Sequence, residues 1–134
     1  MNQTQSGRLS WTLKARTALL RDDAQTATMV APQIDFYKDN KISSQVTAIT
    51  GLLHTDTHAV RLSSAVVVTS LEDGTILKTE ELDYSPQNKK FMTEKDVRLT
   101  RPGGVLQGRG LEANEDLSEI RIFNQRSRLD EAGK

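Results

Sequence analysis

Residues 60–69 read Val-Arg-Leu-Ser-Ser-Ala-Val-Val-Val-Thr, which sets Val60, Leu62, Val66 and Val68 against Arg61, Ser63, Val67 and Thr69. Alternation of apolar and polar residues with a period of two is the pattern of a strand with one buried and one wet face, not of a helix. The same pattern recurs on both sides of this stretch. Leu9, Trp11, Leu13 and Ala15 alternate with Ser10, Thr12, Lys14 and Arg16, and Ile34 and Phe36 with Gln33 and Asp35. Further on, Val97 and Leu99 stand against Arg98 and Thr100, and Ile120 and Ile122 against Arg121 and Phe123. Helix competes only between Leu13 and Gln25, where KARTALLRDDAQ has helix-forming composition, but no capping residue opens it in the right place.

Seven turn-forming clusters divide the chain: Arg21–Asp23, Asp39–Asn40, Thr55–Thr57, Glu72–Gly74, Ser85–Asn88, Arg101–Gly104 and Asn114–Asp116. Seven turns leave eight segments, which predicts eight strands. A loose internal repeat starts at Trp11, Ile42, Ile76 and Leu106, at spacings of 31, 34 and 30 residues, so the repeating unit is a long β-hairpin. A hairpin cannot bury its apolar face alone, and the expected fold is all-β: a partly open, twisted antiparallel β jelly roll built from long hairpins. Its domain is expected at residues 7–124, with disordered ends at 1–6 and 125–134.

The composition narrows the function. Of 134 residues, 18 are Lys or Arg and 18 are Asp or Glu, so the chain lacks the basic excess that drives nucleic-acid binding. No apolar run approaches the ~20 residues that cross a bilayer as a helix. The absence of cysteine removes disulfides and thiolate metal cages. Both histidines fall in His54-Thr55-Asp56-Thr57-His58, which could in principle form a metal site for a small metal-dependent enzyme. The hairpin scheme requires a reversal there, and Thr-Asp-Thr is turn chemistry, so a turn is the preferred reading. Trp11 reads as core before ligand platform, and Gly108 and Gly110 read as a bulge in a strand. What remains distinctive is the apolar inner surface. Two sheets that splay leave a groove for an acyl chain, whereas two that close make a structural or protein-interaction module without a lipid ligand.

Three stretches together resemble a known family: GRLSWTLKA at 7–15, VAPQIDFYKDN at 30–40, and LEDGTILKTEELDYSPQNKKFMTEKDVRLTRPGGVLQGRGLEA at 71–113. The pieces are Gly7, Leu9 and Trp11; Asp73-Gly74 followed by Leu77, Thr79, Leu82 and Tyr84; and Leu106, Gly108, Gly110 and Leu111. In order and spacing they resemble the periplasmic domain of the LptC family of lipopolysaccharide export proteins, and more broadly the OstA-like domain of the export bridge.

The resemblance implies a non-enzymatic conduit, with no cofactor, that receives the acyl chains of lipopolysaccharide and passes them to a periplasmic bridge protein of the same fold. In the family the domain hangs from an N-terminal membrane helix beside an inner-membrane ATP-driven transporter. No such helix is read in this chain, which is expected to be a domain parted from its anchor or a soluble relative of the bridge type. The residues expected to line the lipid site are Leu9, Trp11, Leu13, Ile34, Phe36, Val46, Val60, Leu62, Val66, Val68, Val97, Leu99, Ile120 and Ile122. Gly7 and Gly108 are expected at partner-docking edges, and head-to-tail self-association is a further expectation.

Overall fold

The turns read from the sequence are where the chain reverses, Asp116 of the last lying outside the described residues, and between them run eight long antiparallel strands, each bent once. The computed structural model describes residues 2–5, 8–115, 117–124 and 126–129, with side chains for 11–115 and 117–124. Its strands are β1 (Asn2–Gln5), β2 (Arg8–Lys14), β3 (Thr17–Arg21), β4 (Thr26–Val30), β5 (Gln33–Lys38), β6 (Lys41–Thr47) and β7 (Thr50–His54). They continue as β8 (Val60–Ser70), β9 (Ile76–Ser85), β10 (Lys90–Arg101), β11 (Gly104–Asn114), β12 (Ile120–Ile122) and β13 (Arg126–Leu129). No helix occurs among the described residues.

The bends align into one crease across the whole sheet. The first long strand is β2 continuing into β3, the second β4 into β5, and the third β6 into β7. Hydrogen bonds carry the ladder over the gaps: Arg16 N–H to Val30 at 2.9 Å, Ala31 N–H to Ile49 at 2.8 Å, and Ile49 N–H to Ser64 at 3.0 Å. In β8 the crease is the bulge at Ser64 and Ala65, both in left-handed conformation. In β10 it is Glu94 and Lys95, which face the single residue Gly110 of β11, at φ +95°. A bulge adds a residue on one strand and bends it, and aligned bulges fold the sheet. Glycine suits Gly110 because a positive φ costs an L side chain roughly 1–2 kcal/mol. The eighth strand turns the same corner between β12 and β13, where Phe123 N–H bonds to the Gly110 carbonyl at 3.0 Å.

Two sheet halves result, lying face to face over the core. The first contains β1, β2, β5, β6, the far half of β8, the near half of β9, the far half of β10, the near half of β11, and β13. The second contains β3, β4, β7, the remaining halves of β8 to β11, and β12. The repeat positions Trp11, Ile42, Ile76 and Leu106 all lie in odd-numbered long strands that run from the first half into the second. This is an open antiparallel β jelly roll, all-β as the alternation predicts.

Two local features differ from the sequence reading, in the number of strands and at the ends, and the competing helix is absent. The eight segments appear as more strands because four of them break at the crease. The helix-like stretch is strand β3 plus its turn, since pairing along Thr17–Arg21 with β4 outweighs local helix propensity. The ends expected to be disordered each contain a strand: β1 pairs with β2, and β13 with the Gly104–Gln107 part of β11. An edge strand is held by backbone donors and acceptors, so it needs no alternating pattern to form.

Candidate functional site

The inner face of the first half is a row of directly opposed residues that crosses the seven strands from β2 to β11. Leu13 pairs with Ile34, Ile34 with Val46, Val46 with Val68, Val68 with Leu77, Leu77 with Leu99, and Leu99 with Leu106. Every member is aliphatic, and from Ile34 to Leu99 each is fully buried. Strands place side chains of one parity on one face, and cross-strand pairs lie close enough to pack, so seven strands in register give one continuous apolar lane. The second half answers with Ala27, Leu53, Val60, Tyr84, Phe91, Ala113 and Ile120, again paired strand to strand. Nearer the crease, Gly51 lets this face pack closely: a Cβ there would meet the Met29 methyl at 3.0 Å and a Leu62 methyl at 3.3 Å.

Aromatic rings join the halves away from the crease. Trp11 and Phe36 belong to the first half, Tyr84 and Phe91 to the second. Tyr84 stands edge-on to Trp11 at 5.9 Å and to Phe36 at 4.9 Å, and Phe36 stands edge-on to Phe91 at 5.4 Å. Such edge-to-face pairs add about 0.5–1.5 kcal/mol each beyond their burial. Two polar ties reinforce them, both on Glu115 in the turn after β11. The Tyr84 hydroxyl donates to the Glu115 carboxylate, and the buried Ser44 hydroxyl of β6 donates to the Glu115 carbonyl at 2.6 Å. Burial and this acidic partner hold the Tyr84 phenol well above its ordinary ionisation range. Leu117, buried two residues further on, packs into the same core.

The lane ends at two sets of strand edges. Among the described residues, β1 pairs only with β2 and β3 only with β4 on one side; on the other, β12 and β13 pair only with β11. At this second side Leu106, Ile120 and Ile122 are half-buried, which opens the apolar surface toward the edge.

Of the residues expected to line the interior, Trp11, Leu13, Ile34, Phe36, Val46, Val60, Leu62, Val66, Val68, Val97 and Leu99 are buried core, and Ile120 and Ile122 are its half-buried margin. Leu9 pairs with Thr4 in the ladder, its side chain outside the described set; Gly7 lies outside the described residues. Gly108 is not on a free edge. It pairs with Val97 inside the sheet, and β11 is flanked on its other side by β12 and β13. His54 to His58 form the turn between β7 and β8, closed by the His58 N–H to the His54 carbonyl at 2.7 Å.

Much of the second face does not follow from the sequence reading: Met29, Leu53, Leu82, Tyr84, Phe91, Leu111 and Ala113 are all buried there, as is Leu77 in the first face. In β9 the buried positions step from Thr79 to Leu82, an odd interval that inverts the alternation at the crease. That slip, from Leu77 to Leu82, is a sign in the sequence of the shifted residues beyond it.

An antiparallel sheet folded over a wholly apolar lane, with unpaired edges at both ends, defines the class as an open β jelly roll. A family model described as lipopolysaccharide-assembly, LptC-related, matches residues 1–130, and the chain belongs to that family. Among solved structures the fold is similar to LptH, the LptA homologous periplasmic component of the lipopolysaccharide transport device from Pseudomonas aeruginosa. That similarity has a TM-score of 0.66 at 14% identity, over 90% of this chain and 92% of the other. No curated protein matches. Among the described residues no helix is long and apolar enough to cross a membrane.

Proposed function

We propose that this domain is a non-enzymatic carrier in the lipopolysaccharide transport bridge, working in the periplasm and holding the lipid's acyl chains between its two halves. The observation that carries the proposal is the direction of the lane. It runs across the strands, from the β1 and β3 edge to the β12 and β13 edge. A partner of the same fold added edge to edge would prolong both the sheet and the lane, so hydrocarbon could pass between domains without crossing water. Each methylene taken from water contributes about 0.8 kcal/mol, enough to retain an acyl chain without covalent chemistry. A passive lane has no preferred direction, and net movement draws on an inner-membrane ATP-driven transporter. Docking falls to the strand edges, and a second copy of the chain meets the same geometry there. Admission of lipid parts the halves where the Trp11, Phe36, Tyr84 and Phe91 rings meet.

Burial of the rows everywhere but at their Leu106 and Ile120 ends favours one rival, a closed sandwich that serves only as an interaction module. Uptake of an apolar fluorescent dye separates the two. The carrier takes up the dye and releases it when lipopolysaccharide is added; a closed core does neither, and that result would overturn the proposal.

A further inference from the structure

The outer face of the first half carries a feature that the lane does not use. Beside the crease lies a concavity of about 950 Å³, whose lining includes Lys78, Glu80, Asp96, Arg98, Arg109 and Asn124. Lys78 and Arg98 are directly opposed on β9 and β10. Like charges facing each other across a ladder are destabilising. Among the described residues no carboxylate lies within 4.0 Å of either, whereas Arg109 is satisfied by Asp96 at 3.2 Å. The same cross-strand row continues through Gln107 to position 126 of β13, at the outer edge. Asn124, which lines the concavity, follows the half-buried margin residue Ile122 by two positions, so the concavity that holds the basic pair extends to the edge where the apolar margin lies.

We infer that Lys78 and Arg98 form an anion site for the phosphates on the saccharide headgroup of the lipid whose acyl chains occupy the lane. The inference rests on the carrier reading above. An amphiphile seated at this edge puts hydrocarbon inside and its charged head outside, and a phosphate between the two cations relieves their repulsion through charge-assisted hydrogen bonds. Both side chains are exposed, so the contribution depends on ionic strength.

Binding isotherms read from Trp11, the only tryptophan, test this with lipopolysaccharide and with the same lipid stripped of its phosphates. Dephosphorylation is expected to weaken wild-type binding about tenfold at low salt, and less at high salt. The double variant Lys78→Gln, Arg98→Gln should bind both lipids at the weaker, salt-insensitive level. Equal wild-type affinity for the two lipids, or a phosphate preference kept by the variant, would overturn the anion site alone. Competition by phosphatidylglycerol vesicles would overturn the assignment to the lipid's own headgroup in favour of a membrane surface. Failure of the wild type to bind either lipid would overturn the carrier reading as well.

Discussion

The two inner faces of the molecule are built differently. The first half presents an aliphatic row from Leu13 to Leu106, while the second presents Tyr84 and Phe91 amid smaller residues. Aliphatic rows are smooth and lack directional partners, so they offer an acyl chain a uniform surface. The aromatic side makes oriented contacts across the gap, to Trp11 and Phe36, and adds the Tyr84 and Ser44 ties to Glu115. The first face supplies the lane, and rings from both faces, with the ties to Glu115, form the clasp that keeps the halves together. An interior held by a few oriented contacts away from the crease can part there while the aliphatic row stays in register.

The largest effect is expected at the clasp. Phe36 touches both Tyr84 and Phe91, and Phe36→Ala should cost about 4 kcal/mol in denaturant-induced unfolding. Leu77→Ala, in the middle of the aliphatic row, should cost about 3 kcal/mol, because a smaller side chain is removed and no ring pair is lost. A larger loss at Leu77 than at Phe36 would invert the comparison. Tyr84→Phe keeps the ring and removes only the hydroxyl, which should cost about 1–2 kcal/mol and leave the fold intact.

That variant also carries a pH signature. The folded-state pKa of Tyr84 is raised, so above the unfolded phenol value of about 10 the unfolded chain sheds a proton that the native state keeps. Stability is therefore complete below that pH and falls as pH rises further, and Tyr84→Phe should lose this part of the alkaline decline in a thermal melt. The smallest effect belongs to the outer surface. Arg61 and Asp83 make a two-point ion pair at 2.7 and 3.0 Å, but both are about half exposed, and Asp83→Asn should change stability by less than about 1 kcal/mol.

The strands and turns were legible because alternation and turn chemistry are local. Arg21-Asp22-Asp23 and Glu72-Asp73-Gly74 announce reversals wherever they occur; at the latter, Asp73 accepts the Thr75 N–H at 2.9 Å. Inner residues before each bend, such as Trp11 and Leu13, followed directly from period two. The crease was not legible in the same way. It is made by Ser64 and Ala65, Glu94 and Lys95, and Gly110, which are ordinary residues individually and become a bend only when their strands are in register. Beyond it, Leu82, Tyr84 and Leu111 sit in a shifted phase, which hid much of the second face. The lane itself is a product of register between strands, for which a single segment carries no signal. Lys78 and Arg98 likewise became neighbours only through pairing.

The central claim is that acyl chains lie between the halves and leave by the β12 and β13 edge. Photocrosslinking tests it most directly, with a light-activated residue at inward Leu106 or Ile122 and, for comparison, at outward Gln107 or Arg121. The account predicts crosslinks to lipopolysaccharide from the inward pair alone. Equal crosslinking from both pairs, or from the outward pair alone, in folded protein would contradict it.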